Sequence, residues 1–353
     1  MAPELSNLDL IDRCDGFPDP DRDREGHERE MAGLYTLVWT DPEGITTPIG
    51  YLPQRILDVL HETPPDVRGP MAYDAAARTV TLFDSARTEP ERTAHVARLT
   101  AHWRAERTFS ILVRGWRDEL WPVYGRDGAL LFRMERAAVG LLGANRYGIH
   151  MVAYVRQPAA TAAGASRWPF RVWVPRRAAA KESFAGMLDN TVAGGLAAAD
   201  ASPREALVRE ADEEASLPAG LVRDRAREAG LVSYIYLTDA RAGGDDTMVY
   251  PECQYVYHLE LPADGSVVPR PKDGEVESFT LCTVEEIQEQ LRRGLWKPNC
   301  AVVMLHFFIK FGVLTRQNEP HLDDICRRLR RKLPFPGPHE GYSRPDEKLE
   351  VLS

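Results

Sequence analysis

The chain has 353 residues, of which 44 are Lys or Arg and 53 are Asp or Glu, so its formal net charge is −9. Hydrophobic residues make up 44% of the chain, which is ordinary for a globular protein and excludes a disordered, collagen-like or coiled-coil chain. The acidic balance argues against binding to nucleic acid or to an anionic membrane surface, and it suits the binding of divalent cations.

Residues 1–30 are polar and acidic, and they contain no apolar run of the kind found in signal peptides. Five scattered cysteines without a CxxC pair predict neither a disulfide framework nor a zinc site. The longest apolar run, residues 301–314, is too short to span a bilayer. We therefore expect a soluble, cytoplasmic protein.

The first part of the chain mixes short strands with amphipathic helices. Three hydrophobic runs are predicted as strands, namely Leu34–Trp39, Thr79–Phe83 and Ser110–Val113. A helix is predicted over Glu89–Glu106, and the polar segment 18–30 is expected to fray or to wrap around this domain. No catalytic motif occurs here, and we predict a smaller α+β domain over residues 1–145.

From residue 146 the pattern changes to short β-type runs around one strong helical segment. The predicted strands are Gly148–Val155, Phe170–Pro175, Val232–Leu237, Gln254–Leu261 and Ser278–Cys282. The predicted helices are Pro203–Ala215, Val284–Arg293, Cys300–Phe311 and His321–Lys332. Residues 146–353 are therefore predicted to form a second domain of α+β or sandwich type.

The helix over 203–215 has a well-specified start and an acidic face. Ser202 followed by Pro203 is typical of an N-cap and first helical residue, and Glu205 completes a capping-box pattern. Arg209 can pair with Glu205 or with Glu213, each four residues away.

Three carboxylates share one face of this helix, because Glu210, Glu213 and Glu214 stand at i, i+3 and i+4. Such a face is either a solvated acidic surface or a set of hard oxygen ligands for a cation such as Mg²⁺. The preceding pair Gly194 and Gly195 favours the second interpretation, since glycine allows a tight turn that aims a bare carbonyl at a metal.

These residues resemble the Nudix box: a glycine, five residues, a glutamate, seven residues, then Arg-Glu-apolar-any-Glu-Glu-any-Gly-apolar. The matching residues are Gly195, Arg209, Glu210, Glu213 and Glu214, with Ala211 and Leu217 at the apolar positions.

Two positions depart from the box. Ala201 stands where the first glutamate is found, and Ser216 stands where the late glycine is found. In the family that glutamate is mainly a partner of the box arginine, so Glu205 is the expected substitute.

The resemblance extends to the Nudix domain fused to fungal thiamin pyrophosphokinases and to its stand-alone relatives. It rests on the runs 147–150, 173–177, 186–195, 213–218 and 297–300. It implies an α/β/α sandwich behind the N-terminal domain, and hydrolysis of thiamin-derivative diphosphates. Oxythiamin and oxothiamin diphosphate would be converted to monophosphates, with thiamin diphosphate as a further substrate.

The resemblance also implies roles for individual residues. Glu213 and Glu214 would bind Mg²⁺ or Mn²⁺ together with the Gly194 carbonyl, and Glu210 would be a further ligand or the general base. A later loop supplies another carboxylate in the family. The candidates are Asp273, Glu275, Glu277 and, outside that loop, Glu252, of which Glu275 and Glu277 are favoured.

Substrate contacts are expected near the box. Arg176, Arg177 and Lys181 either clamp the terminal phosphate or are solvated surface charge. Trp173 either stacks on a ring or packs in the core, and Gln254 is placed to read a ring edge.

The sequence therefore predicts a metal-dependent Nudix diphosphatase whose partner is a small-molecule diphosphate rather than nucleic acid or membrane. A diphosphatase for ADP-ribose or a damaged dNTP stays open as an alternative. So does a non-catalytic module that binds a diphosphate.

Overall fold

The computed structural model describes residues 4–83, 86–157, 166–239 and 247–342. Its helices are α1 (Asn7–Cys14), α2 (Arg24–Met31), α3 (Gln54–Glu62), α4 (Pro65–Arg68), α5 (Glu89–Ala105), α6 (Ser110–Arg114), α7 (Pro203–Ala215), α8 (Ala219–Arg225), α9 (Val284–Arg292), α10 (Pro298–Lys310) and α11 (Leu322–Arg328). Its strands are β1 (Leu34–Thr40), β2 (Thr46–Pro53), β3 (Ala72–Asp74), β4 (Thr79–Thr81), β5 (Leu120–Tyr124), β6 (Leu130–Glu135), β7 (Arg146–Arg156), β8 (Phe170–Arg177), β9 (Val192–Gly195), β10 (Arg227–Leu237), β11 (Val249–Glu260) and β12 (Val276–Cys282). None of the described helices is both long and apolar enough to cross a membrane.

A central mixed sheet in the second half of the chain has helices on both faces. The strand order is β10-β11-β7-β8-β12, and β9 pairs with β7. Successive residues of β7 face opposite layers: Ile149 and Met151 pack in the cluster that contains α7, whereas Val152 and Tyr154 pack in the cluster that contains α10. The arrangement confirms the predicted α/β/α sandwich.

Helix α7 begins and ends where its sequence predicts. Ser202 accepts a hydrogen bond from the Glu205 N–H at 3.2 Å, and Pro203 occupies the first turn. At the other end Ser216 adopts the left-handed conformation, with φ of 53°, that the box assigns to glycine. Its hydroxyl donates to the Arg270 carbonyl at 3.0 Å, which ties the strained residue to the following loop.

The N-terminal region, residues 4–145, has its own four-stranded sheet of order β2-β1-β4-β3 and a separate hairpin of β5 and β6. Leu37, Ile56, Val80 and Trp103 lie in its core. The predicted strand Ser110–Val113 is wrong, since these residues form helix α6. A run of three apolar residues is compatible with either a strand or a helix, and here the helical turn closes with the Gly115 N–H bonded to the Ile111 carbonyl.

The start of the chain is joined to the C-terminal half. Leu10, Ile11 and Cys14 of α1 pack in the α10 cluster. Within the segment 18–30, helix α2 forms from residue 24, and the Pro18 carbonyl accepts a hydrogen bond from Arg331 at 2.9 Å.

Helix α11 ends at Arg328, before the predicted end at Lys332. The chain then pairs with β10, where the Ser233 N–H donates to the Leu329 carbonyl at 2.9 Å. Arg328 and Arg331 are buried against the Asp15 carboxylate.

Candidate active site

A cavity of about 270 Å³ opens beside the start of strand β7. Its walls come from α7, from β9, from the sheet face formed by β7 and β11, and from the N-terminal region. Glu210 and Glu214 line it together with Gly194 and Gly195, so the cavity lies at the box.

Glu214 is buried and oriented by the backbone. Its carboxylate accepts a hydrogen bond from the Ala193 N–H at 3.0 Å. Burial raises the pKa of Glu214 well above its ordinary value, and the neighbouring charge of Glu210 raises it further.

Glu210 lies against the glycine pair, and 15% of its side chain is exposed. Burial is the largest influence on its pKa and raises it to about 7. A Cβ atom on Gly194 would lie 2.4 Å from Oε1 of Glu210. Only glycine therefore allows the carboxylate to approach the β9 backbone this closely.

Glu213 differs from the other two box carboxylates, because 47% of its side chain is exposed. Its Oε2 accepts a hydrogen bond from Arg209 at 3.0 Å, as the helical spacing predicts. The same Arg209 nitrogen donates to Glu210 at 3.0 Å.

The expected pairing of Glu205 with Arg209 is wrong. Arg209 instead makes two hydrogen bonds of 3.1 Å to Asp200, one residue before the departed box position at Ala201. The Glu205 carboxylate instead accepts hydrogen bonds of 2.9 and 3.1 Å from Arg223, so the capping box predicted for Ser202 and Glu205 is not completed. The carboxylate that pairs with the box arginine is thus kept, but it stands one residue earlier in the loop than the Nudix box places it. A motif search at fixed spacing cannot detect such a shift.

The donor set fits a divalent cation. The buried Glu214 and the half-buried Glu210 place two carboxyl groups beside a backbone carbonyl at Gly194, and these are the hard oxygen donors that Mg²⁺ and Mn²⁺ prefer. Within the described parts of the chain, no three acidic, His or Cys side chains are gathered closely enough to hold a metal. Glu213 does not line the cavity, and its carboxylate shares one nitrogen of Arg209 with Glu210.

The candidate carboxylates from later strands and loops occupy different positions. Glu275 lines the cavity and pairs with Lys181, and although burial opposes ionisation, this ammonium group lowers the pKa of Glu275. Glu277 is exposed and does not line the cavity, and Asp273 only accepts the Glu275 N–H. Glu252 lines the cavity on β11.

Of the predicted phosphate-binding cations, Lys181 and Arg177 line the cavity but Arg176 does not. Neighbouring strand residues point to opposite faces, so only one of the two arginines reaches the site. Arg176 donates to the Gly186 carbonyl at 2.7 Å, whereas Arg177 forms a buried pair with Asp189 at 2.8 Å.

Trp173 also lies away from the cavity. It is paired with Leu281 of β12 and packs against the cluster on the α7 side of the sheet. The sequence left two interpretations of Trp173 open, stacking on a substrate ring or packing in the core, and its position fits core packing.

Gln254 lines the cavity and is 4% exposed. Its amide nitrogen donates to the Tyr234 hydroxyl at 2.8 Å and to Glu252 at 3.0 Å. Its Oε1 has no hydrogen-bond partner among the described residues, and it lies 2.3 Å from the point that a Cβ on Gly148 would occupy. The side chain thus offers a fixed, buried acceptor above Gly148.

Sequence reasoning missed the residues that the N-terminal region contributes. Arg117, Trp121 and Arg136 line the cavity, although no motif marks them. Trp121 lies against the box, because a Cβ on Gly195 would be 2.2 Å from its Cζ2 atom. An aromatic residue beside several arginines was the one available signal.

Two family profiles match this chain. The NUDIX domain matches residues 157–301, and a domain of unknown function (DUF4743) matches residues 47–146.

Known proteins resemble it over different lengths. An uncharacterized Saccharomyces cerevisiae protein, YJR142W, is 32% identical over 94% of this chain and 92% of its own length. Nudix hydrolase 20, chloroplastic, of Arabidopsis thaliana is 33% identical over 63% of this chain, which spans 54% of that plant protein. The NUDIX domain of Shewanella oneidensis NrtR, solved with ADP ribose, aligns with a TM-score of 0.30 and 12% identity, covering 41% of this chain and 77% of that one.

Proposed function

This chain belongs to the Nudix superfamily and is a Nudix hydrolase, and on that premise we propose that it is a divalent-metal-dependent diphosphatase for thiamin-derivative diphosphates. Water would add to the terminal phosphorus and the bridging P–O bond would break, leaving a monophosphate and inorganic phosphate. The proposal includes a division of the chain at residues 1–145 and 146–353, and a cytoplasmic location.

The observation that carries the proposal is the buried Glu214 and the half-buried Glu210 beside Gly194 in one cavity. We assign Glu213, Glu214 and the Gly194 carbonyl to Mg²⁺ or Mn²⁺ binding, and Glu210 to the role of a further ligand or of the general base. The cation, when bound, would neutralise the diphosphate and lower the pKa of the attacking water. Glu210 is the candidate general base, because its carboxylate lies at the cavity wall with a pKa of about 7.

The phosphate end of the substrate would lie near Lys181 and Glu275. Their ion pair is partly solvated, with 19% and 41% of the two side chains exposed. An incoming phosphate can therefore compete for the ammonium group. Arg177 is the less available cation, because Asp189 and the Ser183 carbonyl both accept its hydrogen bonds in a buried setting.

The ring end would be read by Gln254. Its unpartnered Oε1 accepts an N–H, which thiamin offers as an exocyclic amino group and oxythiamin as a ring N–H. A buried acceptor left without a donor costs free energy, so a ligand lacking that N–H is disfavoured. The thiamin assignment itself rests on the sequence runs that resemble the thiamin pyrophosphokinase-associated domain.

The test is product release from oxythiamin diphosphate, thiamin diphosphate, ADP-ribose and a dNTP in the presence of Mg²⁺. A coupled phosphatase is added for ADP-ribose, because its cleavage releases no free phosphate. Oxythiamin diphosphate should be cleaved fastest, and chelation should stop the reaction. A preference for ADP-ribose or the dNTP would reject the thiamin substrate and keep the hydrolase.

Matched variants test the residue roles. Glu275→Gln should lower turnover, whereas Glu277→Gln, an exposed residue at the start of strand β12, should leave it unchanged. Gln254→Leu should weaken the binding of both oxythiamin diphosphate and thiamin diphosphate by ~1–3 kcal/mol, because both would lose the hydrogen bond to Oε1. Equal effects of Glu275→Gln and Glu277→Gln would contradict the assignment of Glu275.

A further inference from the structure

We propose that the N-terminal region, to which no function is assigned, forms one wall of the active site and that Arg136 binds the phosphates of the substrate. The inference deepens the proposed function and rests on it for the position of the diphosphate. It does not depend on which organic group the diphosphate carries.

The N-terminal region is docked directly on the box. The ring of Trp121, on β5, is 6% exposed and packs against the backbone of Gly195. A side chain at Gly195 would overlap that ring, since its Cβ would lie 2.2 Å from Cζ2. Because Gly195 has no side chain, the N-terminal region can pack directly against the box.

Trp121 and Arg136 are held as a unit by Glu119. The Trp121 indole donates to one carboxylate oxygen of Glu119 at 2.7 Å, and Arg136 Nη1 donates to the other at 3.1 Å. The guanidinium carbon of Arg136 lies 5.5 Å from the Trp121 ring centroid. Arg136 is thus fixed in position before any ligand arrives.

Arg136 still has donors to offer. Its side chain is 42% exposed, and in the described structure only Nη1 makes a hydrogen bond. Two of the cavity's other arginines are more enclosed: Arg177 and Arg146 have exposed fractions of 9% and 22% in their pairs with Asp189 and Glu252. Arg117 also lines the cavity and is exposed.

The charge of Arg136 acts on a carboxylate opposite. Both Arg136 and Arg117 lower the pKa of Glu275, after burial and the closer Lys181. A diphosphate between these walls would meet a planar guanidinium fork, whose geometry suits two phosphate oxygens.

The test is calorimetric binding of methylenediphosphonate with Mg²⁺ to the full chain. Arg136→Ala should weaken binding by about tenfold, which corresponds to ~1.4 kcal/mol. Arg136→Lys should bind with intermediate affinity, because it keeps the charge and loses the fork. The matched control is Arg126→Ala, an arginine of the same region with 41% exposure whose partners are Asp41 and Glu43, and it should bind within about twofold of wild type.

Equal affinities of Arg136→Ala and Arg126→Ala would overturn the inference, and so would a wild type that binds no methylenediphosphonate. If Arg136→Ala does not fold, Arg136→Gln and Arg117→Ala replace it, each with an expected loss of several-fold. The probe has no organic group. A loss of affinity in Arg136→Ala therefore supports the inference even if wild type cleaves no thiamin compound. Failure to cleave thiamin compounds would reject only the proposed substrate.

Discussion

The ion pair between Asp200 and Arg209 should be a main stabiliser of the box, and replacing Asp200 by Ala tests this. The Asp200 side chain is 9% exposed and makes two hydrogen bonds of 3.1 Å to Arg209. A hydrogen bond to a charged group contributes about 1.5–3 kcal/mol. Because Arg209 is 37% exposed, water replaces part of the loss, and we expect Asp200→Ala to lower the free energy of unfolding by about 2 kcal/mol.

The matched control is Glu205→Ala. Glu205 also binds an arginine through two hydrogen bonds, but its side chain and that of Arg223 are 44% and 47% exposed. An exposed pair of this kind is screened by water and salt, so its removal should change the free energy of unfolding much less than Asp200→Ala does. The assay is urea unfolding in the presence of a chelator, so that metal binding does not contribute.

A swap sharpens the test. Adding Ala201→Glu to Asp200→Ala restores a carboxylate at the position that the Nudix box assigns to glutamate, and it should recover most of the lost stability. A Glu205→Ala protein that is destabilised as much as Asp200→Ala would refute the assignment of Asp200 as the partner of Arg209.

Three further predictions concern Gly195, Ser216 and Glu210. Gly195→Ala should cost ~1–3 kcal/mol by displacing Trp121, and a Trp121→Ala background should remove most of that cost in urea unfolding; an equal cost in both backgrounds would contradict the contact. Ser216→Val should lower the free energy of unfolding by ~1–2 kcal/mol more than Ser216→Asn in the same assay, since β-branched residues avoid the left-handed conformation. Equal stabilities of the two variants would argue against a left-handed conformation at residue 216. Burial raises the pKa of Glu210 to about 7 from an ordinary 4.5, so the folded protein without metal binds the extra proton and its stability falls as pH rises through this interval. Measured relative to Glu210→Gln in the presence of a chelator, the free energy of unfolding of wild type should fall by up to roughly 3 kcal/mol as the pH rises from the ordinary to the raised pKa of Glu210. Parallel plots of this free energy against pH for the two proteins would contradict the raised pKa.

The local parts of the site could be predicted from sequence. Glu210, Glu213 and Glu214 share a face because a helix repeats every ~3.6 residues, and the cap at Ser202 set the start of that helix. Ser216 could be recognised as the residue that replaces a glycine. These features depend on neighbours along the chain, which a single sequence contains.

Contacts between distant segments could not be predicted in this way. Asp200 lies in a loop without a regular period, so nothing in the spacing distinguishes it from Ala201 or from Glu205. Trp121 and Gly195 meet only because two parts of the chain that are distant in sequence pack together. The prediction that Arg176 and Arg177 act alike overlooked strand alternation, which sends them to opposite faces.

The central claim is that metal held by Glu210, Glu213 and Glu214 supports hydrolysis of a thiamin-derivative diphosphate. The most direct measurement is the rate of oxythiamin monophosphate formation by metal-stripped protein as Mg²⁺ is added, for wild type and for Glu213→Gln combined with Glu214→Gln. The account predicts a rate near zero without metal, saturation with Mg²⁺ in wild type, and loss of that response in the double variant. Hydrolysis that is independent of Mg²⁺, or equal in the two proteins, would contradict it.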